Sequence, residues 1–272
     1  MRYALLLTAL LLTASVFAQQ TDDLFVPQGA APRVIIPVAG NTGGSNGTYF
    51  RSDINLINFR STTQRVLIYW FPQGEAGTTL SVKAIDMAPS SGFSSEDFVN
   101  EVLNGRTGLG TIEFVGVLQD GTFDPNALLH ASSRIWTPRP DGSPGTMSQT
   151  FPAIVGDQTP PLSMVKTLFG VRRTAQYRLN VGMNNPSASP QIFRVTVAIS
   201  GAGGTDTQTF EVTVQPRSME QRLVGGTASG TVQVIFEDIG GGAGDWHAWA
   251  SSVDNQSGDA WSQVAFASLT ID

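Results

Sequence analysis

Apolar and polar side chains alternate with a period of two along most of the chain from Arg33 onward. The cleanest stretch is Tyr177 to Asn185, where Tyr177, Leu179, Val181 and Met183 alternate with Arg178, Asn180, Gly182 and Asn184. Such alternation places one set of side chains on each face of a β-strand. The same letters, altered, stand at Phe50-Arg51-Ser52-Asp53-Ile54-Asn55-Leu56-Ile57-Asn58. At an offset of 127 (178 − 51) the two stretches stay in register without a gap from Phe50/Tyr177 to Pro89/Pro216. The identities include Arg51/Arg178, Asn58/Asn185, Gln64/Gln191, Gly74/Gly201 and Gly77/Gly204. Most of them fall where alternation stops and turn chemistry begins.

Because a one-residue slip turns a whole strand over, the clearer copy predicts the faces of the other. Phe50, Ser52, Ile54 and Leu56 are expected inside, with Arg51, Asp53 and Asn55 outside. Phe193, Val195, Val197 and Ile199 predict an inward set of Val66, Ile68 and Trp70, and Phe210, Val212 and Val214 predict Lys83, Ile85 and Met87. Pro37, within the β-branched run Val34 to Ala39, has no N–H to give a ladder and belongs on an edge or a bulge. After the shared proline a brief helical turn is expected in each copy. In the first, Ser94 or Ser95 would cap it, Glu96 and Asp97 suit its positive end, and Phe98 and Val102 share a face; in the second it covers only Ser218 to Leu223. Later strands match as Gly110–Phe114 with Gly230–Val234 at an offset of 120 (230 − 110), and as Ala131-Ser132-Ser133 with Ala250-Ser251-Ser252 at 119 (250 − 131). That alignment sets His130 against Trp249 and makes His130 and His247 different sites.

The pattern predicts an all-β fold of two tandem immunoglobulin-like antiparallel β-sandwich domains, each with about seven short strands and one short helical turn. The expected boundaries are a signal peptide at 1–18, a flexible lead-in at 19–32, a first copy at 33–155, a linker at 156–163 and a second copy at 164–272. The motif aromatic-Arg-x-Asp/Asn-apolar-x-apolar-x-Asn, with a late strand running into Val253-Asp254-Asn255-x-x-Gly258-Asp259, resembles tandem β-sandwich modules of immunoglobulin or fibronectin-III type in secreted bacterial proteins. Such modules are sometimes appended to exported hydrolases. The resemblance covers most of the chain after residue 18 and implies no activity of its own.

Composition narrows the function classes. Arg2, the apolar run Ala4 to Leu12 and the small-residue site Val16-Phe17-Ala18 read as a secretory leader, so export to the periplasm, outer surface or medium is expected. With no Cys, neither a disulfide framework nor a lipid anchor at the cleavage site is available. Without Arg2 the charge is −7 (15 − 22), which repels phosphate backbones and disfavours nucleic acid as a partner. No second apolar run reaches the ~18 residues of a membrane-spanning helix.

Candidate chemistry is sparse. Asp254, Asn255 and Asp259 offer hard oxygens suited to Ca²⁺, but lack regular ligand spacing and read first as a hairpin turn. Leu67, Tyr69 and Phe71 make one outward strand face apolar where the other copy has Arg194, Thr196 and Ala198; either another part of the chain or a partner should cover it. Trp246, Trp249 and Trp261 would stack on sugar rings if exposed and pack as core if buried. A hydrolase would need His130 or His247, or paired acids drawn from Glu96, Asp97 and Glu101, facing a cleft. The expected function is an exported, non-catalytic structural or recognition module that needs no cofactor and contacts a protein or envelope component. Polysaccharide binding through the tryptophans is the first alternative and a secreted hydrolase the second.

Overall fold

The computed structural model of the protein describes residues 29–44, 47–156, 165–240 and 246–267. The leader at 1–18, the lead-in as far as residue 28 and linker residues 157–163 lie outside them. Strand makes up 63% of the described residues and helix 2%, so the architecture is all-β and sandwich-like. The first group of elements is β1 (Arg33–Gly43), β2 (Tyr49–Asn58), β3 (Gln64–Pro72), β4 (Lys83–Met87), β5 (Ser91–Ser95), α1 (Phe98–Glu101), β6 (Gly108–Val117), β7 (Leu129–Pro138), β8 (Thr146–Pro152) and β9 (Ile154–Val155). The second is β10 (Val165–Arg173), β11 (Tyr177–Asn185), β12 (Gln191–Gly201), β13 (Gly204–Val214), β14 (Ser218–Leu223), β15 (Gly230–Asp238), β16 (His247–Asp254), β17 (Ala260–Val264) and β18 (Phe266–Ala267).

In the first sandwich β4-β3-β6-β1 lies over β5-β2-β7-β8, and β1 joins the two layers by pairing with β6 and then, at Thr42 and Gly43, with β2. The second sandwich uses the same order, β13-β12-β15-β10 over β14-β11-β16-β17. Each layer buries one face. Ile54, Leu56, Val66, Ile68, Phe98 and Phe114 belong to one core, and Leu179, Val181, Phe193, Val195, Val234 and Phe236 to the other. Ser52, Ile54 and Leu56 on β2, Val66, Ile68 and Trp70 on β3, Leu179, Val181 and Met183 on β11 and Phe193, Val195, Val197 and Ile199 on β12 are buried as expected. Phe50 and Tyr177, also expected inside, are only half-buried; on β4 Met87 is buried, Ile85 packs on the core and Lys83 is exposed.

Pro37 falls in a bulge. The β1–β6 register shifts between Ile36 and Ala39, and β10 shifts at the matching place, between Phe169 and Val171, where Gly170 takes φ +100. Order begins before Arg33, because Ala31 and Leu129 exchange backbone hydrogen bonds of 2.9 Å in both directions. The helical turns differ from expectation. Phe98 and Val102 do fall on one buried face, but Ser94 and Ser95 belong to β5 and Asp97 stands at the cap position without a side-chain cap bond. Ser218 to Leu223 is a strand, since its backbone pairs along Asn180 to Asn185 of β11.

Ladder registers also correct the alignment of the late strands. Ile57 faces His130 and Asn184 faces His247, and Ile57 and Asn184 are themselves 127 apart (184 − 57). The offset of β16 from β7 is therefore 117 (247 − 130), and the two histidines occupy the same position. Likewise Val66 faces Gly116 and Phe193 faces Asp238, an offset of 122 (238 − 116) that sets Phe114 against Phe236. Both sequence matches were off by two residues. A two-residue slip keeps every side chain on its own face, so alternation cannot detect it, and short runs of Ala, Ser and Gly decided the match instead.

The last residue of the shared motif has a definite task. Asn58 Nδ2 donates to the carbonyls of Thr62 and Ala88 at 2.9 and 3.0 Å, and its Oδ1 accepts from the Arg60 N–H at 3.0 Å. Asn185 Nδ2 donates to the carbonyls of Ser189 and Gln215 at 2.8 and 3.0 Å and its Oδ1 accepts from the Ser187 N–H at 2.9 Å. Each of these partners lies 127 residues from its counterpart (for example 189 − 62). A buried amide thus satisfies the backbone of a turn and of a neighbouring strand end, groups that would otherwise be desolvated without partners.

A second device has changed strands. In the first sandwich the Ser52 hydroxyl accepts from the Gly40 N–H and donates to the Gly40 carbonyl, at 2.6 and 3.1 Å. In the second, Ser252 makes both bonds to Arg172, each at 2.7 Å. Ser52 faces Ile135 across the β2–β7 ladder, whereas Ser252 faces Leu179 across β11–β16. The hydroxyl that satisfies the bulged strand comes from opposite members of equivalent cross-strand pairs. Ser252→Ile should cost about 2–4 kcal/mol by leaving both Arg172 groups unpaired, and adding Leu179→Ser should restore at least about 1 kcal/mol. Urea unfolding of the two single variants and the double variant measures this, and simple additivity of the losses would contradict the exchange.

Candidate functional site

Among the described residues, β16 is the one long strand buried along its whole length, from His247 to Asp254, whereas its counterpart β7 alternates between buried and open positions. Ala248 and Ala250 face the core of the second sandwich. The opposite face is covered as well. There Trp249, 0% exposed, clusters with Met219 and with Val38, Ile135 and Phe151 of the first sandwich, and Phe50 and Leu109 pack against them.

The sequence makes room for this seam. Trp249 faces Gly182 across β11–β16, and a Cβ at Gly182 would stand 2.3 Å from the indole. The equivalent positions of the first sandwich, Ser132 and Asn55, are paired with each other and exposed. Met219 likewise stands where the first sandwich has Gly92, since Met219 faces Asn184 and Gly92 faces Ile57. Polar contacts fix the edges of the seam. The Ser218 hydroxyl donates to the Pro72 carbonyl at 2.7 Å, the Gly74 N–H to Met219 O at 3.1 Å, the Gly77 N–H to Pro216 O at 2.9 Å and the Ser262 hydroxyl to Thr150 O at 2.5 Å. Gly77 admits this approach because a Cβ there would lie 2.1 Å from the Arg217 carbonyl oxygen.

Between the two sandwiches, beside the Trp249 cluster, lies an open cleft of about 260 Å³. Phe50, Phe151 and Val253 supply apolar wall, and Gln149, Arg178 and Asn180 supply polar groups. Arg178 extends outward from the motif strand β11, and burial pulls its guanidinium below the ordinary range while Asp254 opposes that effect. One of its N–H groups donates to Asn255 Oδ1 at 3.3 Å. No sequence reasoning pointed to this cleft, because its walls come from residues on two sandwiches and its polar members look like ordinary solvent-facing strand positions.

The expected candidates are scattered. Trp246, 2% exposed, packs against Phe193 with ring centroids 5.0 Å apart and lies under the Lys166 ammonium at 4.8 Å. Trp246 and Trp249 are therefore packing residues with no ring face open to a sugar. Trp261 is half-buried and meets Tyr177 edge-on at 5.3 Å. Of the apolar face on β3, Phe71 is 3% exposed while Leu67 and Tyr69 are half-buried. The tyrosine stands across from Glu113, and burial followed by that charge pushes its phenol up. The patch is thus covered at the end where β3 runs into Gln73, which bridges to Met219 of the second sandwich.

Asp254 is a turn residue. Its Oδ1 accepts from the N–H groups of Gln256 and Ser257 at 2.7 and 3.0 Å and its Oδ2 from Gln176 Nε2 at 2.7 Å, and these bonds lower its carboxyl. Asn255 is engaged with Arg178 and the Ala175 carbonyl, and the Asp259 N–H accompanies the turn through Ser257 Oγ. The geometry is that of an Asx-type hairpin turn, and among the described residues no three His, Cys, Asp or Glu side chains gather as a metal site. His130 Nδ1 lies 3.4 Å from the Gly29 carbonyl. His247 is buried, and its backbone N–H donates to Asn184 Oδ1 at 2.6 Å. Glu96, Asp97 and Glu101 are held structurally, with Asp97 3.3 Å from Arg51, Glu101 receiving the Ser95 hydroxyl, and the Glu96 carbonyl accepting from Trp136 Nε1.

Fold and seam together define an all-β protein of packed sandwiches with a cleft between them. No protein-family model matches the chain, and no curated protein is found similar to it. Among the described residues no helix is long and apolar enough to cross a membrane.

Two outcomes follow from the seam. Gly182→Leu should cost about 3 kcal/mol by overpacking against Trp249, while Asn55→Leu at the open equivalent should change stability by less than about 0.5 kcal/mol; paired urea titrations check the contrast. Burial, and then the charges of Lys166 and Arg33, push the His247 imidazole well below its ordinary 6.5. The unfolded chain therefore takes up a proton that the folded chain refuses. This part of the stability is complete above about pH 6.5 and lost as pH falls below it, by at most about 1.4 kcal/mol per pH unit. Thermal melts between pH 7.5 and 5 should show a shallower decline for His247→Gln than for the wild type, and equal slopes would contradict the assignment.

Proposed function

We propose that the chain is an exported, non-catalytic structural or recognition module of the periplasm, envelope or secreted fraction, built from two copies of one sandwich unit that meet at 156–163. It presents surface to a protein or envelope partner, without a cofactor and without nucleic acid. The observation that carries this reading is the seam: Trp249, Met219 and Gly182 occupy positions that the first sandwich leaves polar or small, and they fasten one sandwich to the other. A chain selected to hold two surfaces in fixed relation would carry such a device. The leader-like start and the acidic balance support export and argue against phosphate backbones.

The polysaccharide alternative rests on less than its three tryptophans, because Trp246 and Trp249 are buried and only Trp261 of the three is half-exposed. The hydrolase alternative would need an acid or hydroxyl beside His130 or His247 in a cleft, and neither imidazole lines the cleft described above.

Fractionation of cells expressing the full chain tests the first half of the proposal. The protein should be recovered outside the cytoplasm with a new N-terminus near Gln19, and a form lacking 1–18 should stay inside; retention of the full chain in the cytoplasm would refute export. Incubation of the purified mature chain with ester, glycoside and peptide substrates tests the second half. No turnover is expected, and turnover abolished by His130→Ala would refute the non-catalytic reading.

A further inference from the structure

We propose that the cleft between the two sandwiches binds a small organic anion, a carboxylate carried on an apolar body. Two equivalent arginines differ in their partners. Arg51, on β2, has its counter-charge: Asp97 lies 3.3 Å away, and the guanidinium rests over the rings of Tyr49 and Trp136 at 5.3 and 5.6 Å. Arg178 holds the same motif position on β11 but has no carboxylate within ion-pair distance among the described residues. Its one hydrogen bond of 3.3 Å to Asn255 leaves most of its five N–H donors unused. Asp254, the acid whose field reaches Arg178, has both oxygens committed to the turn.

The cleft itself is chemically one-sided. Arg178 is the only charged side chain among its described lining residues, in a chain whose net charge is −6. Around it stand neutral groups with hydrogen-bonding capacity to spare. Gln149 Nε2 is buried without an acceptor, and the side chains of Asn180, Gln221 and Ser251, which also line the cleft, bond to no described residue. Buried polar groups normally find partners, and a concave site with apolar walls and a few convergent polar groups is the usual form of a small-molecule site. Phe50, Phe151 and Val253 provide those walls. A volume of about 260 Å³ accommodates on the order of ten non-hydrogen atoms, taking roughly 30 Å³ for each water-sized group. The carboxylate would take the position against Arg178 that Asp97 takes against Arg51, with the amides of Gln149 and Asn180 beside it and the apolar body along the phenylalanines.

This inference deepens the recognition reading and rests on it for the assumption that the ligand leaves unchanged. The probe is 3-phenylpropionate, with 3-phenylpropionamide as its uncharged isostere, added to the mature chain and followed by saturation-transfer NMR and by backbone amide shifts. The carboxylate should bind with a Kd of millimolar order or better, the amide at least tenfold more weakly, and Arg178→Gln should lose at least tenfold in affinity for the carboxylate while keeping the wild-type circular dichroism. Gln149→Leu, which removes no charge, should weaken binding several-fold and serves as the second variant if Arg178→Gln does not fold. No binding up to about 10 mM carboxylate, equal binding of the amide, or binding undiminished in both variants would overturn the site. Chemical conversion of the bound probe would leave the site standing and refute the non-catalytic reading instead.

Discussion

The packing of Trp249 against the first sandwich is the contact on which the rest of the arrangement depends. A strand in a two-layer sandwich ordinarily buries one face, and β7 does so. β16 buries both, because its outer face carries an indole where the equivalent strand carries an exposed serine. An indole of this size excludes any side chain opposite it, which is why the paired position is Gly182. Truncating a fully buried tryptophan typically removes about 3–5 kcal/mol, a large share of the stability of a domain. The surrounding bonds from Ser218, Gly74, Gly77 and Ser262 add direction to that non-directional attraction.

Within each sandwich the same problem, a buried backbone group in need of a partner, is solved twice. Asn58 and Asn185 solve it identically. Ser52 and Ser252 solve it from opposite strands, since what matters at the bulge is a hydroxyl in reach of one residue's N–H and C=O, whichever chain segment supplies it. Sequence comparison sees conserved letters and so finds the asparagines. It is blind to the serines, whose letters moved while the bond stayed.

The fold class and most strand faces were therefore legible in the alternation, with Phe98 and Val102 in the core, while the choice between edge and bulge at Pro37 was settled only by the β1–β6 register. The late register was not, because Ala131-Ser132-Ser133 matched Ala250-Ser251-Ser252 two residues away from the ladder and period two cannot expose such a slip. That slip hid the equivalence of His130 with His247, and with it the replacement of Ser132 by Trp249 that marks the seam. Ser218 to Leu223 read as a turn by analogy with Phe98, although it lacks the insert that gives the first sandwich its helix. The cleft was illegible for a different reason: Phe50 and Arg178 belong to the two versions of one motif, and nothing local says that they meet.

The two sandwiches unfold as one body because the seam couples them, and the measurement that tests this most directly is the cooperativity of unfolding in Trp249→Ala. In the wild type, urea transitions followed by far-ultraviolet circular dichroism and by amide signals from each sandwich should coincide. In Trp249→Ala they should separate into two transitions, with the second sandwich, which loses cover from β16, melting first. Separate transitions already in the wild type, or a single unshifted transition in the variant, would contradict it.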